Sequence, residues 1–255
     1  MSARRQTLGR HNMPSPKLVL ILVIAVVWGG LPHHLSGLSS AQPAAYANET
    51  GTPPDIRIPV YKPRKENAAR ARIGGHSRGS QADAPELIAL VPDHVAFTIR
   101  GGPSLCWYLS IHSSRPMTLT VVDSRGIRPV LEQSLPSPAR AGIHCVRLRE
   151  YGIDLREQEQ YRWFVTLVLN PDRPSQDIVA GGVIERVPLD EACALSMPCS
   201  WTTCELEAVY RYAESGLWYD AIACLLELME REGNHGRLQQ MLDGLLKQSG
   251  IDLPS

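Results

Sequence analysis

The stretch YRWFVTLVLNPDRPSQDIVAGGVIERV, residues 161–187, decides the fold class of this chain. Large apolar side chains alternate with other residues in its first half, which predicts a β-strand with one buried face. NPDRPSQ contains turn residues, and DIVAGGVIERV returns as the partner strand. The Gly181-Gly182 step predicts either a bulge or the close approach of another backbone. The residues expected on the buried face are Tyr161, Trp163, Val165, Leu167 and Leu169.

Short apolar runs separated by turn residues continue toward the N-terminus as far as Leu87. ELIALVP, HVAFTIRGG and SLCWYLSI are candidate strands, and MTLTVVDSRGIRPVLEQSL, residues 117–135, predicts a hairpin that turns at DSRG. About six to eight strands of this kind are typical of an all-β sandwich. We therefore predict an antiparallel, Ig-like β-sandwich over residues 86–188.

Helical spacing of apolar residues replaces the alternation after the last strand. TTCE resembles a capping box, in which Thr202 caps the first helix and Glu205 reaches back to it. A second helix is expected from about Trp218, and a third ends before Gly250. The predicted fold class is therefore α+β, with a small helical hairpin or three-helix subdomain over residues 189–255.

Three blocks of the chain resemble a known protein family. They are LIALVP near the first strand, the stretch 161–187, and YAESGLWYDAIACLLEL, residues 212–228, at the break between two helices. In this order and spacing, over residues 86–250, they resemble the secreted bacterial proteins of the DUF928 family, a domain of unknown function. The resemblance implies an exported protein that is β-rich and then helical. It implies no activity, because the family has no established catalytic residues to transfer.

The N-terminal segment has the pattern of an export signal. Basic residues precede an uninterrupted apolar run, Leu18–Trp28, and small residues then recur up to Ala41 and Ala47. We predict a signal peptide over residues 1–47 that is cleaved after Ala47, with Ala41 as the alternative site. Export predicts a periplasmic location. The alternative is an uncleaved signal that anchors the protein in the inner membrane.

Residues 48–85 are rich in Pro, Gly and basic residues and poor in apolar ones. Such a composition cannot offset the entropy of ordering, so we predict a disordered basic linker. Removal of residues 1–47 takes four of the 26 basic residues and no acidic residue, which leaves 22 basic and 26 acidic residues. Because binding to nucleic acid needs a concentrated basic face, nucleic acid is not an expected partner.

The chain contains six cysteines, an even number that favours disulfides in an oxidising compartment. One pair lies in strand-like stretches and would staple the sandwich. The other four lie in the helical part, where two bridges would pin the first helix to the second. Other pairings stay open. The candidate pairs are Cys106 with Cys145, Cys193 with Cys199, and Cys204 with Cys224.

The same cysteines could instead bind a metal ion through their thiolates. Structural zinc sites generally bring two ligands together in a C-x-x-C pair, and the cysteines in this chain are spaced more widely. The chain also contains neither a phosphate-binding loop nor the G-x-S-x-G turn of a hydrolase nucleophile. We therefore expect no metal and no cofactor, and the sequence identifies no catalytic residue.

Trp218 and Tyr219 are the candidate partner-binding residues. Two consecutive residues on a helix cannot face the same way. Either both rings are buried at the junction between the two layers, or one is exposed and anchors a partner. We expect an exported, non-enzymatic module that binds an envelope or periplasmic protein. The alternative is a hydrolase-like enzyme that acts on envelope material at a site that the sequence does not locate.

Overall fold

A computed structural model describes residues 57–64, 71–74, 85–126, 128–137, 139–193, 203–232 and 235–254 of the chain. These ranges belong to one unit, Gly51–Ser255. The predicted signal peptide and its cleavage sites at Ala41 and Ala47 lie outside them. None of the helices in the described ranges has the length and apolar character that a bilayer span requires.

The described residues form strands first and helices afterwards. The strands are β1 (Leu87–Ala89), β2 (Ala96–Thr98), β3 (Ser104–Leu109), β4 (Met117–Asp123), β5 (Pro129–Leu135), β6 (Gly142–Arg147), β7 (Gln160–Leu167) and β8 (Ile178–Arg186). The helices are α1 (Leu189–Cys193), α2 (Leu206–Glu214), α3 (Trp218–Glu232) and α4 (His235–Gln248). A short 3-10 turn, Leu148–Tyr151, follows β6, and another, Pro174–Gln176, precedes β8.

The strands pair into two sheets. A three-stranded antiparallel sheet has the order β1-β3-β6, and a five-stranded sheet has the order β2-β8-β7-β4-β5. In the larger sheet β2 and β8 run parallel, whereas its other pairs are antiparallel. The fold is therefore α+β with one mixed sheet, and the expectation of a wholly antiparallel sandwich is corrected. The parallel pairing of β2 with β8 is possible because the connection between them, through β3–β7, is long enough to return the chain in the same direction.

The stretch that predicted the fold class forms the β7–β8 pair. Its pairing runs without a shift from Gln160 opposite Glu185 to Leu167 opposite Ile178. The predicted buried face of β7 is confirmed from Tyr161 to Leu167, whereas Leu169 lies beyond the end of the strand. The hairpin is also confirmed, because β4 and β5 pair across the Asp123–Gly126 turn.

The Gly181-Gly182 step allows another backbone to approach. Ile73 and Gly181 exchange two main-chain hydrogen bonds of 3.0 and 3.3 Å on the far side of β8 from β7. A Cβ atom on Gly181 would lie 2.1 Å from the Trp163 carbonyl oxygen. Of the two sequence interpretations, the close approach is therefore the one observed.

Three of the helices, α2, α3 and α4, match those expected from the periodicity, and α1 is an additional short helix. The predicted capping box has the wrong register, because the N-cap of α2 is Glu205 and carries no side-chain cap. Thr202 lies outside the described residues. Local motif spacing placed the start of this helix about a turn too early.

Residues 57–64 form a segment that we call the strap, and it packs against the helices. Tyr61 is 8% exposed and belongs to the core. Its backbone N–H donates to Gln248 Oε1 at 2.9 Å, and the Lys62 N–H donates to the Ala213 carbonyl at 3.1 Å. A Cβ atom on Gly216, which has φ +71°, would lie 2.6 Å from the Lys62 carbonyl oxygen. The strap lies within the predicted disordered linker 48–85, so that interpretation fails for these residues, because Tyr61 is buried against Trp218 of α3.

Candidate functional site

A groove of about 980 Å³ lies between the three-stranded sheet and α3. Alternate residues of β6 point into it because side chains two apart share one face of a strand. Residues of α3 at helical spacing form the opposite wall. The sheet side contributes Gly102, Ser104, Ile143, Cys145, Arg147, Arg149 and Glu150, the helix side contributes Ala223, Leu226, Glu227, Met229 and Glu230, and Arg100 and Cys204 complete the lining.

The two walls of the groove carry charges of opposite sign. Arg147 and Arg149 lie on the sheet side, and Glu227 and Glu230 lie on the helix side. Arg147 is partly neutralised by Glu150, whose carboxylate lies 3.4 Å from its guanidinium. All five residues are exposed, so these charges are hydrated and available to a ligand. Each wall also carries a partly buried apolar side chain, Ile143 on the sheet side and Leu226 on the helix side.

Asp220 is a buried carboxylate at the start of α3, and Arg100 connects it to the groove. The side chain of Asp220 is 0% exposed, and its Oδ1 lies 3.1 Å from Arg100 Nε. This is an ion pair without hydrogen-bond alignment. The Ile99 N–H donates to Asp220 Oδ2 at 3.0 Å. Burial raises the pKa of Asp220 to about 6, although the Arg100 charge and the hydrogen bonds from Ile99 and Thr98 oppose the rise.

Two thiols lie beside this ion pair. Cys204 lines the groove, and Cys224 of α3 lies behind it with 0% exposure. The two side chains are hydrogen-bonded, and neither forms a disulfide. Arg100 Nη2 lies 3.8 Å from Cys204 Sγ. The sequence predicted a Cys204–Cys224 disulfide. The structure places these two side chains in contact, but as free thiols.

Cys106 and Cys145 form the disulfide that the sequence predicted. They lie directly opposite each other on β3 and β6, with Cα atoms 4.2 Å apart. The bridge therefore joins neighbouring strands of one sheet instead of stapling two sheets together. Cys193 is the last residue of α1 and Cys199 lies outside the described residues, so the Cys193–Cys199 pair stays a prediction.

Trp218 and Tyr219, the candidate partner-binding residues, are both buried, with 0% and 3% exposure. Trp218 Nε1 donates to the Leu90 carbonyl at 2.8 Å, and Trp163 Nε1 donates to the Tyr219 hydroxyl at 2.8 Å. Tyr61 packs edge-on against Trp218. Both rings thus lie at the junction between strands and helices, as one of the two sequence interpretations had it, and neither offers an exposed anchor. We call Tyr61, Trp163, Trp218 and Tyr219 the aromatic junction.

Sequence reasoning missed the charged residues of the groove. Arg147 and Arg149 alternate in VRLRE, a pattern that could have placed them on one face. Asp220 stands inside the apolar run LWYDAIACLL, where an acidic residue signals a buried ion pair. Arg100 had no local signal, because its role depends on a partner 120 positions away on another element.

The described residues contain no group of three or more His, Cys, Asp or Glu side chains placed to hold a metal ion. A family model described as Domain of Unknown Function (DUF928) matches residues 73–253. No curated protein matches the chain. Among solved structures, the chain is similar to an engineered protein at 10% identity, with a TM-score of 0.29, over 42% of this chain and 21% of that one.

Proposed function

The chain belongs to the DUF928 family, whose description names no activity, and we propose from the groove that it is an exported, non-enzymatic binding module. Its ligand is an extended segment of an envelope or periplasmic protein. The segment adds to the edge of β6 and places side chains of both charges between the two walls of the groove.

The observation that carries this proposal is an open strand edge beside walls of opposite charge. β6 is the last strand of the order β1-β3-β6, and within the described part of the chain nothing pairs with its outer side. Exposed edges accept an added strand through main-chain hydrogen bonds, while pockets for alternate side chains give specificity. Arg149 would meet an acidic side chain of the segment, and Glu227 a basic one.

Two further features support an exported binding protein. A disulfide such as Cys106–Cys145 persists in oxidising compartments, in agreement with the predicted signal peptide. The buried carboxyl with the raised pKa, Asp220, is paired with Arg100 and not with a second carboxyl. Burial accounts for that raised pKa without an acid–base dyad, and the ion pair with Arg100 opposes it.

Photo-cross-linking from the groove tests the proposal. A photoreactive amino acid replaces Met229 in the full chain, and envelope fractions are irradiated and analysed for cross-linked proteins. We expect discrete adducts that decrease at least tenfold, or about 1.4 kcal/mol of binding energy, when Arg149→Glu and Glu227→Lys reverse both walls. The measurement is the yield of each adduct by mass spectrometry.

Matched variants reverse charges elsewhere on the protein. Arg162→Glu on β7 and Glu132→Lys on β5 change exposed residues outside the groove and should leave the adducts unchanged. Adducts that survive reversal of the groove charges, or that respond equally to both pairs of variants, would refute a groove that selects its ligand by charge.

A further inference from the structure

Cys204 and Cys224 differ in their access to solvent although their side chains are in contact. Cys204 precedes α2, lines the groove and is 8% exposed, whereas Cys224 lies on α3 and is 0% exposed behind it. The Cys224 thiol also approaches the Glu205 carbonyl at 3.9 Å, and Arg231 Nη2 donates to the Cys204 carbonyl at 3.1 Å. The two thiols are thus held together by neighbouring elements, one at the wall of the groove and one beneath it.

The pKa values of the two thiols are shifted in opposite directions. The hydrogen bond from Cys224 and, to a smaller extent, the Arg100 guanidinium lower the pKa of Cys204, against the opposing effects of burial and of the Glu227 carboxylate. The hydrogen bond to Cys204, together with burial, raises the pKa of Cys224. Reactive cysteines are found next to a cation in partly open sites, whereas apolar burial makes a thiol inert. Since Cys204 lines the groove and Cys224 does not, Cys204 is the thiol placed to act as the nucleophile of the pair.

We propose that Cys204 and Cys224 form a redox-active pair, in which Cys204 attacks an exposed disulfide presented at the groove and Cys224 resolves the product. The inference adds a disulfide-reducing activity to the non-enzymatic binding function proposed above, and it does not depend on strand addition at β6. It also differs from the permanent bridge that cysteine counting suggests, because the pair cycles between dithiol and disulfide, with a small thiol such as glutathione as the reductant that restores the dithiol.

The exchange balances in two steps. The Cys204 thiolate attacks one sulfur of the substrate disulfide, which breaks that bond, forms a mixed disulfide and releases the first substrate thiolate, which takes up a proton. Cys224 then loses its proton and attacks the Cys204 sulfur, which releases the second substrate thiol. The protein loses two electrons and two protons, and the substrate disulfide is reduced to two thiols.

A glutathione titration tests the cycle. The folded full chain is equilibrated at a series of ratios of reduced to oxidised glutathione, quenched with acid and alkylated. Digestion with trypsin and chymotrypsin cleaves after Arg211 and Trp201, which separates Cys204 from both Cys224 and Cys199. We expect a Cys204–Cys224 link that forms and disappears with the glutathione ratio, while Cys106–Cys145 stays linked. Two thiols alkylated at every ratio, a Cys204–Cys199 link, or a link that persists at the most reducing ratio would each overturn the proposal.

The assignment of the nucleophile has its own test. In a C193S/C199S background, glutathione disulfide should accumulate as a mixed disulfide on Cys204 in C224S, at least about tenfold faster than on Cys224 in C204S. Circular dichroism checks that both variants fold. In the unsubstituted protein, a short pulse of iodoacetamide should alkylate Cys204 before Cys224, which keeps the test independent of folding defects. Equal rates for the two thiols, or faster modification of Cys224, would refute the assignment.

Discussion

The aromatic junction and the groove are built on the same helix and have opposite character. The junction uses the first two residues of α3, and their ring polar atoms are hydrogen-bonded inside the protein. The groove uses the later residues Glu227 and Glu230, whose charges face solvent. The Trp-Tyr pair was the candidate partner-binding site in the sequence, but in the structure it contributes to stability. Ordinary-looking charged residues provide the surface that can select a ligand.

Asp220 and Arg100 connect the two regions. Asp220 follows Tyr219 directly and is as deeply buried as the junction, whereas the Arg100 side chain is 39% exposed and reaches the groove. Through Arg100 the buried carboxylate therefore helps to position the charge beside Cys204. Single substitutions test whether the junction stabilises the fold and whether the ion pair links it to the groove.

The largest effect is expected from Trp218→Ala. The substitution removes a completely buried ring and its hydrogen bond to Leu90, so we expect the free energy of unfolding to fall by about 3–5 kcal/mol. Urea denaturation followed by tryptophan fluorescence and circular dichroism measures the change. Tyr151→Ala, which removes an aromatic ring that is 37% exposed, is the control and should change stability by about 0.5 kcal/mol or less. Similar losses for the two variants would contradict the structural role of the junction.

Asp220→Asn should change the pH dependence of stability. Burial raises the pKa of Asp220 from 3.8 to about 6, so between these values the native carboxyl binds a proton that the unfolded chain has released. The contribution of Asp220 is therefore fully present below pH 3.8 and is lost as the pH rises through about 6. We expect the stability of the parent relative to the variant to fall by about 3 kcal/mol across this window.

Urea midpoints of both proteins across the same pH range provide the measurement. Asp252→Asn removes an exposed carboxyl and controls for the loss of one acidic group. A parent-to-variant difference that is constant with pH would mean that Arg100 keeps Asp220 ionised throughout. That result would contradict the expectation that burial raises the pKa of Asp220.

Tyr61→Phe should produce the smallest effect and tests whether the strap belongs to the junction. The substitution keeps the ring against Trp218 but removes the hydroxyl that lies 3.0 Å from His94 Nε2. We expect a loss of about 1 kcal/mol in the free energy of unfolding. Tyr108→Phe, whose hydroxyl makes an exposed 3.4 Å contact with the Pro254 carbonyl, should cost less. Equal effects would indicate that Tyr61 is no better ordered than a surface tyrosine.

The sequence predicted those parts of the fold whose evidence is local. Alternation along β7 identified its buried face, and a helical stripe identified α3 and α4. Cys106 and Cys145 were paired because both stand in strand-like stretches. The parallel pairing of β2 with β8 had no such signal, because strands of either direction show the same alternation.

The candidate site was harder to predict because its members are distant in sequence. Asp220 binds the backbone of Ile99 across 121 positions, and the strap residue Tyr61 binds Gln248 across 187. A composition rich in Pro and basic residues indicated a linker at the strap. The few apolar side chains there are buried by contacts with the helices, which come from the other end of the chain.

The sequence by itself determined the α+β class, the central β7–β8 pair, the main helices and the cysteines able to pair, since these depend on periodicity and on residue type. Only the tertiary structure decided that Trp218 and Tyr219 are buried, that β6 is an edge, and that Arg100 lies beside Asp220 and Cys204. The physical reason is that burial and charge pairing are properties of what packs against a residue. That neighbour comes from a remote part of the chain, and no local pattern specifies it.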